Sequence, residues 1–311
     1  MPTSVVQPSP VPPPESPLTP SLMKAPRQSS PPWPSVAIVG VGLIGGSVGL
    51  ALKARRLVGH VIGVGRTPAS LAEARQRGIV DETTTDLAAG VAQADLVVVA
   101  SAVSTIGPLL DRIDEAARPG TLLTDAGSTK GSIVARWERR RKSRRCRFVG
   151  AHPIAGSHRR GPVAADAGLF EGRLTVVTPA KGTPESDASQ VAEFWSALGS
   201  TVFLMPPKVH DRILAATSHA PHLIAAALAA ATPADVTRFT AGGWRDSTRI
   251  AAGDPALWAD ILLDNAAEVA RALARVRRIS DRLIEALEAG DRKTLLDLLQ
   301  RAKERRDAVG S

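Results

Sequence analysis

The stretch Val36-Ala37-Ile38-Val39-Gly40-Val41-Gly42-Leu43-Ile44-Gly45-Gly46-Ser47-Val48-Gly49 constrains this chain more than any other. An apolar, β-branched run enters a glycine turn and leaves it as the first turn of a helix. The spacing Gly40, Gly42, Gly45 is G-x-G-x-x-G. Gly40 permits the tight turn, Gly42 lets the backbone approach a pyrophosphate, and Gly45 lets the helix pack close to the strand. The helix then aims its unpaired N–H groups and the positive end of its dipole at the phosphates. A Rossmann-type dinucleotide-binding domain makes these demands, with Gly40, Gly42, Leu43, Ile44 and Gly45 as its cofactor-binding turn. The competing reading, a glycine-rich turn in an unrelated α/β fold, does not call for strand, turn and helix in this order.

The 311 residues suffice for two domains and a sizeable core. We find no run of about 18 apolar residues without charge and no basic-then-apolar leader. The expectation is a cytoplasmic chain with no membrane span. A single cysteine, Cys146, excludes an intramolecular disulfide and fits a reducing compartment. It reads as an incidental surface thiol. The net charge of +9 is concentrated in residues 136–147, where eight Arg or Lys face one acid, Glu138. Only Trp137 is near enough in sequence to stack a base. The stretch reads as a solvated helix end and loop, and no nucleic-acid partner is expected.

Residues 1–34 hold 12 of the 24 prolines, with Ser and Thr between them. Too few apolar side chains are present to offset the entropy of ordering, so 1–34 reads as a disordered tail. Residues 35–206 alternate strands and helices. The second strand, His60–Gly65, ends without the acid that would bind ribose hydroxyls, and Arg66 follows. An acid there would repel a 2′-phosphate, whereas Arg66 can pair with one, so the chain leans to NADP over NAD. The competing reading leaves Arg66 as an exposed loop residue. Strand Asp95–Ala100 ends at Ser101 and Ala102, at the carboxyl edge where open α/β sheets bind ligands. A strand at Thr121–Asp125 leads to Ser128. A strand at Arg147–Gly150 leads into a loop, Ala151–His158, that carries His152. After the strand Thr201–Met205 no strand candidates remain. Residues 207–311 read as helices over Val209–Ala231, Pro255–Ala289 and Arg292–Ala308. Their apolar surface is large for one small domain, which implies burial against a second copy.

Candidate chemistry falls in three clusters: Ser128, His152, and the pair His219 and His222. That pair shares a helix face at i,i+3, with Pro221 distorting the turn. No Cys or carboxylate stands at a ligand spacing from the pair, so no metal site is expected. A histidine following a strand beside a cofactor turn is a candidate acid–base group; the alternative is a structural histidine. Arg249, among Asp246 and Ser247, is a carboxylate clamp or a core ion pair.

The strings Asp125-Ala126-Gly127-Ser128-Thr129-Lys130, Ala151-His152-Pro153-Ile154-Ala155-Gly156-Ser157, Ser218-His219-Ala220-Pro221-His222, Asp246-Ser247-Thr248-Arg249 and Asp254-Pro255-Ala256-Leu257-Trp258 occur in order. Together they resemble the prephenate/arogenate dehydrogenase family over about residues 35–300. The resemblance implies a Rossmann domain followed by an all-α dimerisation domain. It implies oxidative decarboxylation of prephenate to 4-hydroxyphenylpyruvate, or of arogenate to tyrosine, in tyrosine biosynthesis. It assigns His152 the proton of the substrate hydroxyl and Ser128 the orienting of His152 and substrate. It assigns Arg249 a substrate carboxylate and places His222, His219, Ser157, Asp246 and Trp258 around the substrate. Aromatisation drives loss of carbon dioxide, so the protein mainly positions the reactants.

Two departures matter. His158 stands near where relatives carry an acid able to read the arogenate amine, which tilts the reading to prephenate. Ser101-Ala102-Val103 replaces the Thr-Pro-Val of relatives. A β-hydroxyacid-type dehydrogenase would need a catalytic lysine in the helical half, where Lys208, Lys293 and Lys303 form no motif. A non-catalytic dinucleotide-binding regulator is motivated by the basic stretch and opposed by Ser128, His152 and Arg249.

Overall fold

The computed structural model describes residues 31–156 and 159–310. The expected tail up to residue 30, and the site candidates Ser157 and His158, lie outside them. Residues Trp33 and Pro34, assigned above to the tail, instead open the first strand.

Eight strands form one sheet: β1 (Trp33–Val39), β2 (Val58–Val64), β3 (Glu82–Thr84), β4 (Leu96–Val99), β5 (Leu122–Asp125), β6 (Arg147–Pro153), β7 (Leu174–Thr178) and β8 (Thr201–Leu204). Their order is β3-β2-β1-β4-β5-β6-β7-β8. The pairings from β3 through β6 are parallel, while β7 runs antiparallel to β6. Alternation along β1 decides the layers. Val36 and Ile38 face a core with Leu52, Phe170 and Trp195; Ala37 and Val39 face one with Ile106, Trp137 and Phe148. Both faces are covered, which is why the strands are continuous apolar runs.

The helices of this half are α1 (Leu43–Ala54), α2 (Pro68–Gln76), α3 (Leu87–Val91), α4 (Val103–Ala116), α5 (Gly131–Arg139) and α6 (Glu185–Ala197). β3 and α3 are additions to the sequence reading, too short for a period to register. β6 differs in a way that matters. Its first residues pair with β5 up to Val149, and its last, Gly150 to Pro153, pair with β7. The antiparallel partner prolongs the strand, so His152 lies on β6, opposite Val176, rather than in a loop.

The basic stretch is partly structural rather than freely solvated. Arg136 and Arg144 both bind Asp111, and Arg147 binds Asp187. Cys146 is buried, not a surface thiol, and burial, with Asp114 adding, pushes it up to about 12. That thiol is unreactive near neutral pH.

The second half comprises α7 (Pro207–Leu214), a π-helical turn (Ala215–His219), α8 (Ala220–Ala231), α9 (Gly242–Thr248), a 3₁₀ turn (Arg249–Ala252), α10 (Pro255–Asp264), α11 (Ala266–Glu288) and α12 (Arg292–Asp307). The expected single helix Pro255–Ala289 is broken at Asn265, whose side chain is turned inward to other work. By length and composition alone, Pro207–Ala231 is apolar enough to cross a membrane, with mean hydropathy 1.4. Its buried polar side chains, His210, Asp211, His219 and His222, give that stretch a place in the core instead.

Candidate active site

The glycine turn has the geometry its sequence demands. Gly40 sits at φ +100°, and a Cβ there would lie 2.4 Å from the Ala100 carbonyl oxygen. A Cβ at Gly45 would stand 2.0 Å from the carbonyl oxygen of Gly40. At Gly42 a Cβ would meet nothing within 4 Å, so this glycine borders open space. No side chain caps α1. The turn thus leaves the first N–H groups of α1 without a side-chain cap, the arrangement a pyrophosphate requires. The same clash with Ala100 places the end of β4, with Ser101 and Ala102, beside the turn. Ser101 accepts a hydrogen bond from Thr105 at 3.0 Å, and Ala102 caps α4. Arg66 follows β2 exposed, with no hydrogen bond or ion pair among the described residues.

At the carboxyl end of the sheet, β6 carries the buried His152. Its Nδ1 lies 2.8 Å from Nε2 of His210 on α7. Nδ1 of His210 lies 2.8 Å from a carboxylate oxygen of Asp211. Asp211 also accepts the backbone N–H of Lys130 at 2.8 Å and of Gly131 at 2.7 Å. The chain continues through Asn265, which donates to the Asp211 carbonyl at 2.8 Å and lies 3.2 Å from Nδ1 of His219. Beneath it, the fully buried Lys130 ammonium pairs with Asp125, whose other oxygen accepts the N–H of Ala151, next to His152.

Burial, reinforced by His210, Lys130 and His219, holds His152 well below the ordinary histidine range. His210 is lowered too, because burial outweighs the hydrogen bond it donates to Asp211. His219 is lowered to about 4 by burial, against the pull of Asp211. For Asp211 burial acts upward, but His210 and the two backbone N–H groups outweigh it and keep the carboxyl low. The site at neutral pH therefore holds neutral imidazoles and an ionised Asp211.

Residues 48–204 match the model of the prephenate dehydrogenase nucleotide-binding domain, and 206–301 that of the prephenate dehydrogenase dimerization domain. Prephenate dehydrogenase of Bacillus subtilis is 33% identical, over 88% of this chain and 76% of that protein. The chain belongs to the prephenate dehydrogenase family. A crystal structure of the Aquifex aeolicus family member, in complex with hydroxyphenyl propionate and NAD+, superposes with TM-score 0.81 at 32% identity, covering 89% of this chain and 98% of that one. Synechocystis arogenate dehydrogenase superposes at 0.76 and 28%, covering 88% and 99%. This chain is accordingly an oxidoreductase with an NAD-binding domain. Its helical half and small-molecule site fit the homodimeric plan of the family.

Within the family site, the fold brings His152, His219, His222 and Trp258 into one connected group. The His222 and Trp258 rings stack with centroids 3.6 Å apart and planes 12° apart, and His219 meets Trp258 edge-on at 6.3 Å. A Cβ on Gly253 would come 2.5 Å from the Trp258 indole nitrogen, so only glycine fits behind the stack. Nδ1 of His222 is buried without a partner. Ser128 is half-buried in the turn after β5 and makes no hydrogen bond to His152; His210 holds the histidine instead. Arg249, in the 3₁₀ turn, and Asp246, on α9, are exposed and do not pair with each other.

The sequence reading missed His210, Asp211, Asp125, Lys130 and Asn265. One signal was present. His210 and Asp211 precede Leu214 and Ala215 on the buried stripe of α7, and two polar residues on such a stripe need partners.

Proposed function

We propose that this chain oxidatively decarboxylates prephenate to 4-hydroxyphenylpyruvate, with His152 as the general base. The observation that carries the reading is the buried, neutral His152. Its Nδ1 is engaged by His210, and its Nε2 has no partner among the described residues. His152 takes the proton of the ring hydroxyl on Nε2 as the carbon–hydrogen bond at the same carbon breaks. The nicotinamide, when bound, accepts that hydride. The ring carboxylate leaves as carbon dioxide as the ring becomes aromatic, so no strong acid is asked of the protein. Ser128, at the turn between β5 and α5, orients the hydroxyl. Arg249, without an anionic partner among the described residues, holds a substrate carboxylate, and His222 with Trp258 forms a wall of the pocket.

The turn at Gly40–Gly45 holds the pyrophosphate, with Ser101 and Ala102 beside it. Arg66, exposed, without an ion pair among the described residues, and next to Gly65 where a ribose-binding acid would otherwise stand, supports NADP over NAD. The working enzyme is a homodimer through residues 207–311.

The test is an assay of prephenate and arogenate, each with NAD and with NADP, followed by reduced-nicotinamide absorbance. The expected result is highest kcat/KM for prephenate with NADP. The arogenate reading is favoured by the likeness to the Synechocystis enzyme, and preferential turnover of arogenate establishes it. Silence with all four pairs, with cofactor still bound, overturns both.

A further inference from the structure

We propose that Asp211 and His210 are a positioning pair that fixes the tautomer of His152, leaving its only lone pair on Nε2. The inference deepens, and rests on, the reading of His152 as the base. It starts from donors whose roles are not negotiable. The backbone N–H groups of Lys130 and Gly131 can only donate, and each occupies one oxygen of Asp211. Those oxygens must accept, so Asp211 accepts again from Nδ1–H of His210. A neutral His210 then offers only its Nε2 lone pair to His152. The 2.8 Å contact requires one hydrogen, which must be on Nδ1 of His152. Nε2 of His152 is left as the acceptor.

The alternative places a second proton on His210, which would donate to His152 and move the His152 hydrogen to Nε2. The base would then be lost. The groups facing His210 are His152, Lys130, Asp211, Asp125 and His219. The Lys130 ammonium beside the pair, with the burial of both rings, disfavours that second charge. During turnover the substrate proton goes to Nε2, while Nδ1–H of His152 stays on His210. Asp211 and His210 exchange no proton. The arrangement also spans the two halves of the chain, because α7 supplies the pair while α5 and β6 supply its partners. The base is therefore correctly set only where the halves are docked.

The experiment is ¹⁵N–¹H correlation of histidine-labelled protein, with kinetics on the same samples. In the unsubstituted protein His152 should show Nδ1–H, and a Nε2–H tautomer overturns the proposal. In Asp211→Ala, His210 loses the acceptor that holds its proton on Nδ1, so the His152 Nδ1–H signal should give way to Nε2–H. The expected kcat loss is roughly a hundredfold or more, with KM changed by less than about threefold. His210→Gln keeps a carbonyl able to accept from His152 and should stay within about tenfold of the parent, whereas His210→Phe should match the Asp211→Ala loss. Equal losses in the Gln and Phe variants would mean a merely structural role and sink the idea. The tautomer is read without substrate. A protein inert toward prephenate and arogenate therefore removes the proposed reaction while leaving this assignment open to its own readout.

Discussion

A histidine serves as a base only when one nitrogen is committed elsewhere and the ring is neutral at the working pH. His152 meets both conditions, so His152→Asn should lower kcat by roughly 10²–10⁴-fold while leaving the cofactor dissociation constant unchanged. Stopped-flow hydride transfer and cofactor titration would check the two halves of that statement. The titrations share one sign. His152, His210, His219 and His222 are all lowered in the folded chain, so the unfolded chain binds more protons below about pH 6.5. Stability is then full above that pH and is lost as pH falls toward 4, the folded value of His219. The lowered Asp211 adds to the acid-side loss, since its stabilisation disappears on protonation. Thermal melts from pH 7.5 to 4.5 should show Tm falling steadily, and an unchanged Tm would contradict these shifts. Arg66 poses a separate residue-scale question. Arg66→Ala should raise KM for NADP by roughly tenfold or more and leave KM for NAD nearly unchanged, because only NADP offers a 2′-phosphate to pair.

At the scale of elements, the halves are held together by carboxylates of the helical half set on the first turns of Rossmann-half helices. Asp211 receives the N–H groups that open α5. Asp264, at the end of α10, accepts Thr129 at 2.5 Å and Ser132 at 2.7 Å, and Asp260 accepts Ser104 at 2.7 Å near the start of α4. Negative charge at a helix N-terminus is favourable on its own, and the hydroxyls add direction. Asp264→Ala should therefore cost about 1–3 kcal/mol, read as a lower denaturant midpoint, because Thr129 is buried and loses its acceptor. This layer also shows what could be read in advance. Gly40, Gly42 and Gly45 were legible because backbone geometry dictates residue type there. His152, His219 and His222 stood out in the sequence as polar clusters after a strand or on a helix face, but their contacts did not: the resemblance paired His152 with Ser128, whereas His210 holds it. Asp211 and Asn265 were not legible, since their roles come from contacts with residues up to 81 positions away. The break at Asn265 hid for the same reason: the apolar period runs across it, and only the inward turn of its amide ends the helix.

For the whole molecule, the balance between buried and exposed apolar surface decides what form is stable. The Rossmann half has two extensive cores, whereas the core cluster confined to the helical half is built on Ala215, Ala220, Val269 and Ala272. Four small side chains, with Leu223, Leu262 and Leu273 packed against them, cannot offset the entropy of ordering six helices. Meanwhile Val276, Ile279 and Leu287 of α11 lie exposed at helical spacing, with Leu283 half-buried in the same stripe. Leu296 and Leu299 of α12 are exposed as well. A stripe of this kind is covered in a stable protein, and the match of residues 206–301 to a dimerization domain fits a second copy as the cover. Two consequences can be measured. Tm should rise with protein concentration, because assembly supplies stability that the single chain lacks. The double variant Ile279→Glu with Leu287→Glu should convert the species from twice 32.5 kDa to 32.5 kDa in light scattering. It should also weaken turnover more than cofactor binding, since the glycine turn lies in the self-sufficient half whereas His210 and Asp211 lie in the half that needs its partner. A double variant that remains dimeric would place the interface elsewhere on the helical half. One that is monomeric with undiminished turnover would show that the helical half holds His210 against His152 unaided.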